Sequence, residues 1–116
     1  MRYAMLIYTS ETTDAAMSEA EQGAVFAAYG AFTNEITEKG VNLGGEALQP
    51  TATAKTVHLE NGKTVATDGP FAETKEQLGG CYLLECKDMD EAVAYAAKIP
   101  AAGNGRVEVR PIMEFG

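Results

Sequence analysis

A seven-residue run, RYAMLIY at positions 2–8, dictates the architecture that we expect for this chain. Successive side chains of a strand point to opposite faces, so Tyr3, Met5 and Ile7 share one apolar face. The other face is also apolar and carries Ala4, Leu6 and Tyr8. Such a strand is typical of the centre of a sheet that is covered on both sides. Residues 81–86 repeat the pattern, so the sequence predicts two central strands.

Two helices are predicted to cover one face of this sheet. Ser18-Glu19-Ala20-Glu21 has the spacing of a capping box, which predicts that a long helix begins there. Lys39-Gly40 predicts its end. Asp88-Met89-Asp90-Glu91 caps a shorter helix that ends at Pro100. The order strand, helix, strand then occurs twice, which predicts an α+β fold of the ferredoxin-like, split βαβ type.

Asn61-Gly62 predicts a β-hairpin inserted between the two βαβ units. This dipeptide is the strongest short hairpin signal, because both central positions of a type I′ turn need a positive φ. A two-residue loop would place Glu60 opposite Lys63 and Lys55 opposite Asp68.

The second apolar face of the predicted sheet has no cover within the chain. Helices on one side leave a large apolar surface on the other, and such surfaces mark interaction sites. A second copy of the chain is the simplest cover. We therefore predict a homodimer with its sheets packed face to face, a dimeric α/β barrel.

The composition indicates one globular domain, residues 1–116, of ordinary hydrophobicity. A net charge of −8 disfavours direct binding to nucleic acid or to an anionic membrane. No apolar run is long enough for a membrane helix, and no signal-peptide pattern is present, so we expect a cytoplasmic protein. Cys81 and Cys86 would point to opposite faces of one strand, which predicts reduced thiols.

Metal and phosphate chemistry find little support in the sequence. His58 is the only histidine, and no Cys-x-x-Cys pair accompanies it, so no metal site is predicted. Gly79-Gly80 lacks the spacing and the following helix of a phosphate-binding loop. We therefore expect no cofactor.

The candidate site is the stretch DGPFAETKEQLGG at positions 68–80. Neither a strand period nor a helix period runs through it, so its charges are not explained by a solvated face of either element. The candidate ligand-binding residues in and around it are Glu46, Asp68, Phe71, Glu73, Lys75, Glu76 and Arg110.

Each candidate also has a simpler explanation. Asp68 is a general base if the fold buries it, but it is equally a turn residue or the cross-strand partner of Lys55. The charged residues around Lys75 form either a polar wall for an anionic or hydroxylated ligand or a solvated loop. Glu46 and Arg110 line a cavity if the sheet closes into a barrel, and otherwise lie at a strand edge.

The stretch 68–80 resembles the signature of the DGPF proteins, a branch of the YCII-related family. The similarity extends to residues 1–8, 28–32, 44–50 and 107–111. It implies a dimeric ferredoxin-like barrel, an architecture shared with small decarboxylating, isomerising and monooxygenase-like enzymes. The family is thought to hold a His-Asp pair with the histidine on the first helix. That position falls near Tyr29 here, which disfavours acid-base catalysis of that kind.

DGPF proteins also resemble accessory factors of extracytoplasmic-function sigma factors, a resemblance that comes from their frequent genetic association. It implies a sigma factor as a partner. The favoured hypothesis is a small-ligand-binding or regulatory module, accessory to sigma-factor-controlled transcription. The alternative is a cofactor-free isomerase, lyase or monooxygenase-like enzyme with Asp68 as general base and Lys75 or Arg110 holding the substrate. A third hypothesis is a purely structural interaction protein.

Overall fold

The computed structural model describes residues 1–115, which form a four-stranded antiparallel sheet, a separate two-stranded hairpin and several helices. The elements are β1 (Arg2–Thr9), α1 (Glu11–Ala15), α2 (Glu19–Glu38), β2 (Asn42–Ala47), a 3₁₀ turn (Thr51–Thr53), β3 (Lys55–Glu60), β4 (Lys63–Asp68), β5 (Gln77–Glu85), α3 (Met89–Ala96), α4 (Ala101–Asn104) and β6 (Arg106–Pro111).

The sheet has the strand order β2-β5-β1-β6, which is the order of a ferredoxin-like fold. The two strands that were predicted to be central, β1 and β5, occupy its centre. In the register, Met5 of β1 lies opposite Tyr82 of β5 and Val109 of β6, so these three side chains share one face. The predicted α+β fold with an inserted hairpin is therefore confirmed.

The core lies between this face and the helices. Met5 and Leu84 of the sheet are fully buried, as is Ile36 of α2, and Phe32 lies beside them. Burying each such side chain contributes about 1.5–3 kcal/mol. The face of Tyr3, Met5 and Ile7 is therefore the one that the helices of this chain cover.

Local capping explains where α2 begins and ends. The Ser18 hydroxyl accepts a hydrogen bond from the Glu21 amide, and the Glu21 carboxylate accepts one from the Ser18 amide, which is the predicted capping box. At the other end, Gly40 has a φ of +72°, the left-handed conformation that glycine adopts without strain. Both helix signals are confirmed.

Two short helices were not predicted. Helix α1 was expected to be a polar connection, but Ser10 caps it by accepting from the Thr13 amide. Helix α4 was expected to be a turn, and it begins after Pro100. Elements of this length show no hydrophobic period, so sequence patterns do not reveal them. Val93 is exposed beside the buried stripe of α3.

The hairpin has the predicted register. Glu60 lies opposite Lys63 and Lys55 opposite Asp68, while Asn61 and Gly62 have φ values of +50° and +78°. The hairpin forms its own small sheet, apart from the main one.

The opposite face of the main sheet, which we call the open face, carries half-buried apolar residues. Leu6 lies opposite Cys81, and Ala4 lies opposite Leu83. On the edge strand β6 this face carries Arg106, Glu108 and Arg110. Within residues 1–115, no helix is long and apolar enough to cross a membrane.

Candidate functional site

A cleft of about 610 Å³ lies between α2 and the half of the sheet formed by β2 and β5. A volume of 300–1,000 Å³ is typical of small-molecule sites. Its lining residues are Ile7, Thr9, Phe26, Tyr29, Thr33, Asn42, Gly44, Gly45, Glu46, Ala47, Gly79, Gly80, Cys81 and Tyr82. Four of these are glycines on adjacent strands, so much of the floor is backbone.

Two of the glycines are required by close approach of β2 and β5. A Cβ atom at Gly45 would lie 2.6 Å from the backbone oxygen of Cys81 and 3.1 Å from the ring of Tyr82. A Cβ atom at Gly80 would lie 2.6 Å from the backbone oxygen of Glu46. The register also shifts between Asn42 and Gly44, an irregularity typical of a glycine pair in a strand. These glycines leave room for the Tyr82 ring.

A hydroxyl network runs along one wall of the cleft. The Thr33 hydroxyl donates to the backbone oxygen of Tyr29 at 2.9 Å. It also lies 2.8 Å from the Tyr82 hydroxyl. The edge of one ring packs against the face of the other where Phe32 meets Tyr82, with ring centroids 5.0 Å apart. The hydrogen bond and the ring contact together hold the Tyr82 side chain in place.

Tyr29 adds a second phenol to the cleft. Its partial burial raises the pKa of the Tyr29 hydroxyl, and nearby Tyr82 and Asp14 act in the same direction. A hydrogen bond from the Ala101 amide opposes this rise in pKa. A tyrosine phenol is neutral at pH 7 even at its ordinary pKa of about 10, so Tyr29 can donate a hydrogen bond.

A second cavity of about 310 Å³ adjoins the cleft. Thr9 and Tyr29 line both spaces. In the smaller one, the Thr9 hydroxyl donates to a carboxylate oxygen of Asp14 at 2.6 Å. Its lining residues are Thr9, Asp14, Met17, Gln22, Val25, Tyr29, Pro100, Ala101 and Asn104. Tyr29 therefore separates the main cleft from a compartment that holds a carboxylate.

The cysteines and possible metal ligands lie mostly apart from this network. Cys86 is buried in the core, and burial raises the pKa of its thiol. Cys81 is half-buried and lines the cleft. Among residues 1–115, no group of three His, Cys, Asp or Glu side chains is placed to hold a metal ion.

The structure separates the residues of the predicted site. Within residues 1–115, Glu46 is the one of the seven among the lining residues of the cleft, although the strand register places its side chain on the open face. The Asp68 side chain is 87% exposed and forms an ion pair with Lys55. Phe71 is 91% exposed. Glu73 and Lys75 are exposed, Glu76 is half-buried, and Arg110 lies on the open face beside Glu108.

The loop after Asp68 is tied to the hairpin and to β5. The Gly69 amide donates to the Ala54 oxygen at 2.8 Å, and the Thr56 hydroxyl donates to the Gly69 oxygen at 2.8 Å. Gly69 has a φ of +95°. At the other end, the Gln77 side chain donates to the Thr74 oxygen at 2.5 Å. In a single chain this loop projects into solvent, and its role in ligand binding stays a prediction.

Sequence reasoning missed the hydroxyl network. Tyr82 occupies the buried side of a strand, where a tyrosine resembles any other core aromatic. Thr33 follows Tyr29 by four residues, a spacing that indicates a side-chain-to-backbone bond within a helix. The neighbouring glycine pairs, Gly44-Gly45 and Gly79-Gly80, were the available signal, because paired glycines on adjacent strands leave an open floor.

Comparisons with known proteins agree with this fold. The sequence model of the YCII-related domain matches residues 1–116. An uncharacterised protein from Rhizobium meliloti (strain 1021) is 42% identical over 115 residues, which cover 97% of this chain and 92% of that protein. A solved structure of 5-chloro-2-hydroxyhydroquinone dehydrochlorinase from Burkholderia phenoliruptrix AC1100, in complex with 2,5-dihydroxybenzoquinone, is similar with a TM-score of 0.56 and 14% identity. The alignment covers 99% of this chain and 96% of that one.

Proposed function

This chain belongs to the YCII-related domain family, and from that premise we propose that it binds a small organic molecule in the cleft between α2 and the β2–β5 half of the sheet. The observation that carries the proposal is a 610 Å³ space with a backbone floor and a wall of hydroxyl groups. An apolar cleft with a few convergent polar groups is the usual form of a small-molecule site.

The lining favours a flat, hydroxylated ligand. Phe26 is 82% exposed at the cleft, so an aromatic ring is available for stacking. The polar groups of Thr33, Tyr29 and Tyr82 are hydroxyls and therefore suit oxygen functions on a ring. The dehydrochlorinase that shares the fold was solved in complex with 2,5-dihydroxybenzoquinone, a molecule of this kind, which supports this ligand class.

A homodimer is part of the proposal. The described chain exposes 8070 Å² of surface, whereas a compact monomer of this mass exposes about 6,100 Å². The excess of about 2,000 Å² lies within the range of about 1,000–2,500 Å² that one subunit of an obligate homodimer buries. The radius of gyration, 16.2 Å, also exceeds the value of about 13.4 Å for a compact domain of this length.

The open face is the surface that we assign to the second copy. It carries Leu6 and Leu83 on the central strands, and within residues 1–115 the core helices pack on the opposite face, with Tyr3, Met5 and Ile7. Glu46 and Arg110 share this face in the strand register, so they would lie in the space between two packed sheets. In this proposal, exposed Phe71 and the neighbouring charged residues also contact the second copy; they are Asp68, Glu73, Lys75 and Glu76.

The alternative function is a cofactor-free enzyme. One observation favours it: Tyr29 is a neutral phenol in the cleft, adjacent to the compartment that holds Asp14. Such a phenol can donate a hydrogen bond to a ligand oxygen and stabilise negative charge that develops there. The predicted role of Asp68 as general base needs a second copy to bury this carboxylate, which is solvated in the single chain.

The predicted sigma-factor partner comes from the resemblance alone. Copurification with a sigma factor at moderate salt would support it. Its absence from such preparations would leave the ligand-binding proposal untouched, since that proposal depends on the cleft.

Filling the cleft tests the proposed function. Ala47 lies opposite Gly80 in the sheet, and Gly80 lies opposite Ile7 on the helix-covered face. Ala47→Phe therefore places a ring in the cleft. We expect it to weaken binding of catechol at least tenfold, as measured by protein NMR shifts. Ala94→Phe on the exposed side of α3 is the matched control, and equal catechol binding by both variants would contradict the proposal.

A further inference from the structure

We propose that the hydroxyl network selects ligands by hydrogen-bond direction: the Tyr82 oxygen accepts a hydrogen bond from the ligand, and the Tyr29 hydroxyl donates one to it. The inference rests on the proposed function and names its ligand class. The ligand would carry a phenol or enol hydroxyl next to a carbonyl or ether oxygen. Its hydroxyl would donate to Tyr82, and its other oxygen would accept from Tyr29.

The direction follows from the proton count at Thr33. A threonine hydroxyl has one proton and two acceptor positions. Its proton is given to the backbone oxygen of Tyr29, 2.9 Å away within α2. The contact of 2.8 Å between Thr33 and Tyr82 therefore has Tyr82 as its donor.

This arrangement leaves the Tyr82 oxygen as an acceptor toward the cleft. A phenol hydroxyl also has a single proton, and that proton points at Thr33. The position of the Tyr82 ring against Phe32 restricts rotation away from this geometry. A ligand oxygen without a proton would face the lone pairs of Tyr82 and be repelled.

Tyr29 provides the complementary donor. Within residues 1–115, no acceptor takes the proton of its hydroxyl, and its side chain lines the same cleft. A phenol keeps this proton at neutral pH, since its ordinary pKa is about 10. Tyr29 can therefore donate to a carbonyl or ether oxygen of the ligand.

Sites that recognise a hydroxyl reject analogues that lack it, because a buried polar group then loses its partner. Here the Tyr82 oxygen disfavours a ligand ring whose oxygens can only accept hydrogen bonds. A ring with adjacent hydroxyl and ether oxygens offers the matching donor and acceptor. The wall thus distinguishes ligands of nearly equal size and apolar surface.

Guaiacol and 1,2-dimethoxybenzene form a suitable probe pair, because they differ by one methyl group on a phenol oxygen. We expect the wild-type dimer to bind guaiacol about two- to tenfold more tightly, the range of one hydrogen bond. Protein NMR titration measures both affinities.

Thr33→Val is the decisive variant. It preserves side-chain shape but removes the acceptor for Tyr82, which frees the Tyr82 proton for a ligand. We expect Thr33→Val to bind 1,2-dimethoxybenzene more tightly than the wild type, so that the preference for guaiacol disappears. Tyr82→Phe should also remove the preference, but by weakening guaiacol. Thr64→Val on the exposed hairpin is the matched control and should retain the wild-type ratio.

The outcomes separate the two proposals. Equal binding of both probes to the wild type, or an unchanged ratio in Thr33→Val, would overturn the direction of hydrogen bonding and leave the cleft as a binding site. Failure of both probes and of catechol to bind the wild type would overturn the proposed function and this inference together.

Discussion

The two faces of the sheet carry similar apolar side chains, but these side chains are buried to different extents. On β1, Met5 is fully buried under the helices, whereas its neighbour Leu6 on the open face is half-buried. On β5, adjacent Leu84 and Leu83 differ in the same way. An apolar strand thus indicates that a face needs cover, but it does not indicate whether the same chain provides that cover.

We expect the largest loss of stability from a substitution on the sheet face that the chain's own helices cover. Leu84→Ala should lower the free energy of unfolding by about 2–5 kcal/mol, because it removes a fully buried side chain and leaves a cavity. Leu83→Ala is the control, with a smaller loss that grows with protein concentration as the proposed dimer forms. Urea unfolding at several concentrations measures both. Equal, concentration-independent losses would show that the two faces are equivalent.

A charged substitution on the open face tests whether this face forms the proposed dimer interface. Leu6→Lys should raise the dimer dissociation constant at least tenfold, because it places an unpaired charge in an apolar interface. Val93→Lys is the control, since Val93 is an exposed apolar residue on α3. Sedimentation velocity measures the association state. A stable wild-type monomer at micromolar concentration would contradict the homodimer.

Two glycine substitutions sharpen the comparison between the cleft floor and a solvated helix. Gly45→Ala should destabilise the fold by about 1–3 kcal/mol, because the new Cβ atom meets the backbone of Cys81. Gly23→Ala in α2 meets no atom within 4 Å, and it should stabilise the helix by up to about 1 kcal/mol. Thermal unfolding measures both, and opposite signs are the expected result.

The smallest effect concerns charge on the helix-covered side. Hydrogen bonds from Lys98 at 2.6 Å and from Lys39 at 3.1 Å hold the pKa of Glu35 below its usual value. A lowered pKa in the folded state contributes stability above the unfolded pKa, and this contribution is lost as pH falls through the folded value.

Lys98→Met should therefore destabilise the protein slightly at pH 7 and progressively less below about pH 4.3, the pKa of an unfolded glutamate. Urea midpoints between pH 7 and pH 3 measure this trend. Lys55→Met removes the ion pair with exposed Asp68 and serves as a control, with no measurable loss expected. A constant effect of Lys98→Met at all pH values would contradict the assignment.

Signals that act over a few residues predicted their structures correctly. The capping box at Ser18 and the turn at Asn61-Gly62 depend on backbone groups within four residues, so the sequence contains all the interacting parts. The break of periodicity after Asp68 correctly marked a loop. It did not indicate exposure, because the burial of a loop depends on which distant segments pack against it.

The cleft illustrates the opposite case. Thr33 and Tyr82 lie 49 residues apart in the sequence, and no local pattern relates a helix threonine to a strand tyrosine. Their contact depends on the position of α2 over β5, which the packing of Phe32 and Ile36 against the sheet sets. Predicting the cleft would have required that packing in advance.

Strand periodicity, helix caps and turn residues were sufficient to establish the α+β class, the two central strands and the inserted hairpin, because each is governed by interactions between near neighbours. The location of the cleft, the contact between Thr33 and Tyr82 and the solvation of Asp68 were settled only by the folded chain. These features arise where distant segments meet, and the free energy of such contacts depends on geometry that a linear pattern does not contain.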